Sequence, residues 1–210
     1  MLDRHFQVDY TTFFEYASQP FNLQPFFIRG QYNRMQLDRL LETKKTLIVK
    51  KWFDQVMDGY APDTAVFFKM QKDAFANPVG ATTSSVLQEL FEAILQKKDP
   101  RAISTIVDPL IRIRAIQNFI PSQAIGFILS LKQIIHDIIK HDSGISLNDV
   151  ISFEAEIDKA ALVGFNIFME CREKIYNLRT NEERNKIYKA FARAGLIKEV
   201  EADSPDLKFV

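Results

Sequence analysis

From Met35 onward the apolar positions recur at helical spacing. Leu37, Leu40, Leu41, Leu47, Ile48, Trp52 and Val56 fall three and four residues apart, with the polar run Glu42-Thr43-Lys44-Lys45 between them. Gly59 predicts the end of this first helix. Pro62-Asp63 predicts the start of a second, carrying Val66, Phe67, Met70 and Phe75. "ANPVG" stops it, because Asn77 precedes a proline and must leave the α region. A third helix is expected over about 83–97 on Val86, Leu87, Leu90, Phe91 and Ile94, with the hydroxyls of "ATTSS" at 81–85 marking its start. Asp99-Pro100, an N-cap acceptor followed by proline at the first helical position, opens a fourth that reaches Asn118. Pro121-Ser122 opens a fifth that lasts to about Lys140, and "HDSGIS" is a loop. Ser146 with Asp149 resembles a capping arrangement at the start of a long sixth helix.

That sixth helix carries Val150, Phe153, Ile157, Ala161, Gly164, Phe168, Cys171, Ile175 and Leu178 along one stripe. Small residues at Ala160, Ala161 and Gly164 permit close helix approach, either within the core or across a homodimer seam. Thr180 and Glu183 repeat the capping signature and predict a separate short helix stopped near Gly195. No segment alternates with period two long enough for a strand. The expected fold is therefore all-α, a single bundle of six helices. Residues 1–34 read differently: aromatics are dense, and Pro20, Pro25 and Gly30 interrupt any helical period. The expected organisation is an irregular, dispensable leader over 1–34, a helical domain over 35–178, and a short helix and tail over 179–210. Initiation at Met35 is consistent with that division.

One helix contains the most informative pair of residues. In "LIRIRAIQNFIPSQAIGF", Leu110 to Phe127, two arginines sit in an oily run. With Leu110 at zero, Ile103, Ile106, Val107 and Ile113 lie within roughly 60° of it, Arg114 at about 40° and Gln117 at about 340°. Arg112 lies at about 200°, beside Asp108 at about 160°, an i, i+4 pair on the outer face. Arg114 is thus expected to point inward. An unpaired buried guanidinium costs several kcal/mol, so it must meet a carboxylate, helix carbonyls or an anionic ligand. Two readings follow: a structural ion pair with an acid on another helix, or a polar anchor of a ligand or partner pocket with Gln117, Asn118 and Ser122.

Charge and composition narrow the function classes. Lys plus Arg number 27 and Asp plus Glu 27, so no global basic field asks for nucleic acid. No run approaches the roughly 20 apolar residues of a membrane span, and the first thirty residues lack a signal-peptide core, so a cytoplasmic protein is expected. The single cysteine and three histidines offer no metal-ligand spacing. His136, the tempting haem ligand in "LKQIIHDIIKH", projects away from the stripe Leu131, Ile134, Ile135, Ile138 and toward the side of Lys132 and Lys140. His5 and His141 have no partner spacing, and Cys171 reads as a buried structural thiol. No phosphate loop, dinucleotide fingerprint or nucleophile elbow appears. The expectation is a non-enzyme with no cofactor and no metal.

"LLETKKTLIVKKWFDQV", "DAFANPVG" and "PLIRIRAIQNFIPSQAIGFILSLKQII" together resemble the amino-terminal domain of RsbRD, an RsbT co-antagonist of bacterial stress signalling. The resemblance covers roughly residues 37–178 and is carried by Asn77-Pro78, Arg112, Arg114, Gln117, Pro121-Ser122 and Phe127. It implies a helical sensory or regulatory module, related in role to the non-haem globin-like sensor domains of stressosome proteins, binding a protein partner or an unidentified small-molecule ligand. In longer relatives such a module precedes a STAS domain of about 100 residues. A chain ending at Val210 leaves no room for one, so direct partner switching is not expected. The rival expectation is an adaptor or assembly protein for an enzyme complex. Stand-alone relatives in anaerobic sulfate-reducing bacteria give that rival a redox link.

Overall fold

The computed structural model describes residues 27–117, 119–140, 142 and 144–194, with side chains described from Gln36 onward. Among them are six helices and no strand: α1 (Phe27–Met57), α2 (Pro62–Met70), α3 (Pro78–Leu95), α4 (Pro100–Ile116), α5 (Pro121–Ile139) and α6 (Leu147–Arg193). Proline punctuates the chain as the sequence suggests. It occupies the first turn of α2, α3, α4 and α5, where its missing N–H is no loss.

The ends differ from expectation in four places. α1 begins at Phe27, so it takes in the last eight positions of the supposed irregular leader; residues 1–26, including His5, lie outside the described residues. α2 stops at Met70, which leaves Phe75 in the following loop and 96% exposed. α3 starts at Pro78 rather than near Thr83, so the "ATTSS" hydroxyls sit inside the helix. Thr83 Oγ1 donates back to the Val79 carbonyl at 2.8 Å. Finally, α6 runs unbroken through Thr180 and Glu183 to Arg193, so no separate short helix forms; Gly195 lies outside the described residues.

Asn77 explains why α2 and α3 meet so tightly. Its Oδ1 accepts from Gly80 N at 2.8 Å, while its Nδ2 donates to the Phe68 and Gln71 carbonyls, each at 3.0 Å. One buried amide therefore caps α3 and gathers the loose end of α2. A Cβ on residue 80 would fall 2.3 Å from Asn77 Nδ2, so this knot requires glycine there.

The core is one contiguous apolar cluster drawn from α1, α3, α4, α5 and α6, with Trp52, Phe91 and Phe168 its largest fully buried side chains. The expected sixth-helix stripe through Cys171 is buried in this cluster. Gly164 lets α5 come close: an added Cβ would sit 3.1 Å from Ile128 Cδ1. That stripe is the chain's own core and is not open to form a dimer seam. From Glu173 onward, apart from half-buried Ile175, α6 is exposed on every side and projects beyond the bundle.

Candidate functional site

α4 is set by Asp99, whose Oδ1 accepts from Arg101 N at 2.8 Å and Ala102 N at 3.0 Å. Its buried line is Ile103, Val107, Leu110, Ile111, Arg114 and Ala115. Arg114 is only 3% exposed, whereas Arg112 lies outside and pairs with Asp108 at 2.6 Å. The inward guanidinium is the one that the helical geometry selects.

The turn that ends α4 builds the wall around it. Gln117 leaves the helix with extended backbone, the Phe119 N–H donates to the Gln117 carbonyl at 2.8 Å, and Ile120 is held extended ahead of Pro121. Gln123 secures the start of α5 by accepting from the Ile120 N–H at 3.4 Å. Arg114 Nη1 then donates to the Gln123 carbonyl at 3.0 Å. Its guanidinium carbon lies 4.6 Å from the Phe127 ring centroid, 5.0 Å from Phe119 and 5.9 Å from Tyr60. Each such contact is worth roughly 0.5–2 kcal/mol in a desolvated site.

No carboxylate among the described residues pairs with Arg114. Its buried Nε has no hydrogen-bond partner among the described residues. Burial pushes its pKa down, and the Tyr60 side chain partly offsets that shift. Arginine's ordinary value is so high that the group stays a cation at neutral pH. Of the two sequence readings, an ion pair with an acid of another helix does not form among the described residues.

Tyr60 completes the corner. Its hydroxyl donates to Gln117 Oε1 at 3.1 Å, and its ring meets Phe68 and Phe119 edge-on at 5.1 and 5.3 Å. Burial pushes its pKa up, against a downward pull from Arg114. Trp52 Nε1 donates to the Phe127 carbonyl at 2.7 Å and ties the corner to the C-terminal part of α1. On the far side, Arg172 of α6 donates to the Ala115 carbonyl at 3.1 Å and to the Tyr176 hydroxyl at 2.9 Å. The residue next to Arg114 is thereby bonded to α6 at the level where that helix leaves the bundle.

Of the four pocket residues expected from sequence, Arg114 and Gln117 meet around Tyr60. Ser122 is exposed in the first turn of α5, and Asn118 lies outside the described residues. The rings of Tyr60 and Phe119 were not foreseen. Tyr60 is more than fifty positions away in the chain, and no local spacing signals such a meeting. Also unforeseen is a cleft of about 840 Å³ between α1, α2 and α3, with Lys45, Lys50, Lys69 and Lys72 at its rim and Phe53 and Phe68 in its wall. Two of those lysines are neutralised, Lys45 by Glu92 and Lys69 by Asp58. Phe68 is shared between the cleft and the Arg114 corner.

His136 faces outward, as its helical phase requires, and its Nε2 lies 2.7 Å from Glu154 Oε1. Cys171 is buried. Among the described residues no three of His, Cys, Asp and Glu gather as metal ligands, and no helix is long and apolar enough to cross a membrane.

The corner is thus a buried cation boxed by rings, with no carboxylate paired to it among the described residues. The chain belongs to the RsbT co-antagonist protein rsbRD N-terminal domain family, whose family model matches residues 47–182. This is a family of regulatory signalling domains. No curated protein and no solved structure matches the chain at a significant level.

Proposed function

We propose that this chain is a non-enzymatic regulatory module, a sensor or partner-binding unit whose switching element is the Arg114 corner and whose output is α6. The observation that carries the reading is a fully buried guanidinium with no carboxylate beside it among the described residues. A charge kept inside for stability is normally matched by an opposite charge, because its desolvation costs several kcal/mol. Arg114 is held instead by one carbonyl, three ring faces and an electrostatic contact with the Tyr60 hydroxyl, and its Nε has no partner among the described residues. Such a donor and the neighbouring Gln117 offer an anionic or carbonyl-bearing group of a ligand or partner something to bind. Binding there would bias helix packing only in so far as it favours one arrangement over another. The Arg172 bond to the Ala115 carbonyl supplies the physical link from the corner to the projecting helix.

The test is a paired measurement on chain purified from its native host. Native mass spectrometry reads retained proteins and small molecules for the unaltered chain and for Arg114→Met. The reading expects a retained species that the variant loses while its unfolding midpoint holds. Retention unchanged by the substitution would sink it.

The adaptor reading, in which the chain recognises one enzyme complex and senses nothing, is favoured by a separate observation. Apolar side chains stand in water along the outer face of α6. A protein partner retained without any small molecule, and indifferent to Arg114→Met, would select the adaptor. A redox role follows only if that partner is a redox enzyme.

A further inference from the structure

The outer face of α6 is not a scatter of apolar residues. At about 100° per residue, Leu162, Phe165, Met169, Tyr176, Ile187 and Phe191 fall within roughly 40° of one line. All six are substantially exposed. This line is about 140° away from the buried line through Gly164, Phe168 and Cys171. Past the bundle the two sides diverge. The core-facing side turns polar at Glu182, Lys186, Lys189 and Arg193, while the outer side keeps Ile187 and Phe191. The apolar side of the projecting helix therefore continues the exposed stripe and not the core.

Spacing makes the stripe usable. Phe165, Tyr176 and Ile187 are eleven residues apart, as are Met169, Thr180 and Phe191. Eleven residues span three helical turns almost without drift, so the line runs straight along the helix. Most helical stability in proteins comes from packing an apolar side, and the projecting segment packs its own against nothing among the described residues.

We infer that the occupant of this face is a second copy of the chain, packed antiparallel about a two-fold axis near residue 178. A half-turn there sets Phe165 against Phe191, Met169 against Ile187 and Tyr176 against Thr180, each contact made twice. The charges that interrupt the stripe match under the same operation. Glu173 meets Arg184 on one flank and Arg172 meets Glu183 on the other. A parallel arrangement in register would instead set Asp158, which lies on the stripe's own line, against its copy. In the antiparallel arrangement the seam starts beyond it. With each stripe side chain about half exposed, two copies cover on the order of 1,200 Å² of apolar surface, at the threshold for a stable specific interface before the flanks are counted.

This dimer rests on the reading of α6 as the contact element, and its test keeps the two separable. Sedimentation of the full chain at about 50 μM is expected to give twice the 24.3 kDa chain mass. Arg184→Glu should weaken association by roughly tenfold, and adding Glu173→Arg to the same chain should restore it to within about threefold. Both positions are exposed, so neither change threatens the bundle. Mixing Glu173→Cys chains with Arg184→Cys chains under mild oxidation should give the mixed disulfide in preference to either self-pair. A monomer at that concentration overturns the dimer and leaves the Arg114 corner untouched. Preferential self-pairing, or a charge swap that fails to rescue, overturns the antiparallel seam.

Discussion

The Arg114 corner and the outer face of α6 break the same rule in opposite directions. One puts a cation where the core should be; the other puts phenyl rings, an indifferent packing material in water, where charges should be. In the corner the surroundings are over-determined: Trp52 fixes the Phe127 backbone, Tyr60 fixes Gln117, and Phe119 is clamped by a two-residue hydrogen bond. On the face Arg172 holds Tyr176, but Phe165 and Phe191 stand exposed without such support among the described residues. A violation enclosed by such support reads as a site whose geometry is kept ready, and one left open reads as a surface waiting for a partner. The first is sensitive to what surrounds it and the second only to what meets it.

The largest effect should come from breaking the enclosure. Phe127 is buried, carries the ring nearest Arg114, and its carbonyl accepts from both Trp52 Nε1 and Ser130 Oγ. Phe127→Ala should cost about 3–5 kcal/mol in urea unfolding, through a cavity and a cation stripped of its closest ring. A loss below about 1 kcal/mol would mean that the corner is not packed as described.

Tyr60 tests the polar half of the same enclosure. Tyr60→Phe keeps the ring contacts and removes the hydrogen bond to Gln117, a loss of about 1 kcal/mol at neutral pH. Its pKa is raised in the folded chain, chiefly by burial, so folding favours the neutral phenol. The stability it contributes is complete below the ordinary tyrosine value of 10.0 and is lost as pH climbs through the higher folded value. The unaltered chain should therefore lose stability above that pH more steeply than Tyr60→Phe. Parallel curves for the two, from urea titrations across the alkaline range, would remove Tyr60 from the corner's electrostatics.

Arg114 itself should matter less to stability than its burial suggests. Arg114→Met retains an apolar stem of similar length, removes the desolvated charge, and sacrifices one hydrogen bond and the ring contacts. The terms nearly cancel, so the unfolding free energy should move by no more than about 1 kcal/mol in either sense. A paired structural charge would instead cost about 3–5 kcal/mol on losing its partner. A drop of that size in urea unfolding would revive the ion-pair reading, with an acid outside the described residues.

How much of this the residues announce depends on how local the cause is. Helix starts at Pro62, Pro100 and Pro121 follow from chemistry within four positions and are read directly. So is the facing of Arg112 and Arg114, which needs only the helical period. The start of α3 is missed by five residues because Asn77-Pro78 both ends one segment and caps the next, and the capping role depends on Gly80 tolerating the close amide. The rings around Arg114 come from α5 and two connecting turns, so no window of sequence contains them. The outer stripe of α6 lies in the same residues as the core stripe. With two apolar lines on one helix, the period alone does not tell which is buried, and only the placement of α4 and α5 decides it.

The smallest effect on the isolated bundle is the sharpest statement about the second region. Ile187 and Phe191 touch water along the projecting part of α6, and the helix there has no neighbour among the described residues. Replacing both by serine changes no core packing. At high dilution, where any association is absent, unfolding should shift by no more than about 0.5 kcal/mol. The same substitutions remove two of the three apolar contacts on each side of the proposed two-fold, so at high concentration the mass should fall to that of a monomer. Stability then becomes the control for association: the two side chains contribute nothing until a second chain covers them. A loss above about 1.5 kcal/mol in the dilute sample would place those side chains against their own chain. The contrast with the Arg114 corner would then dissolve, because both regions would be interior.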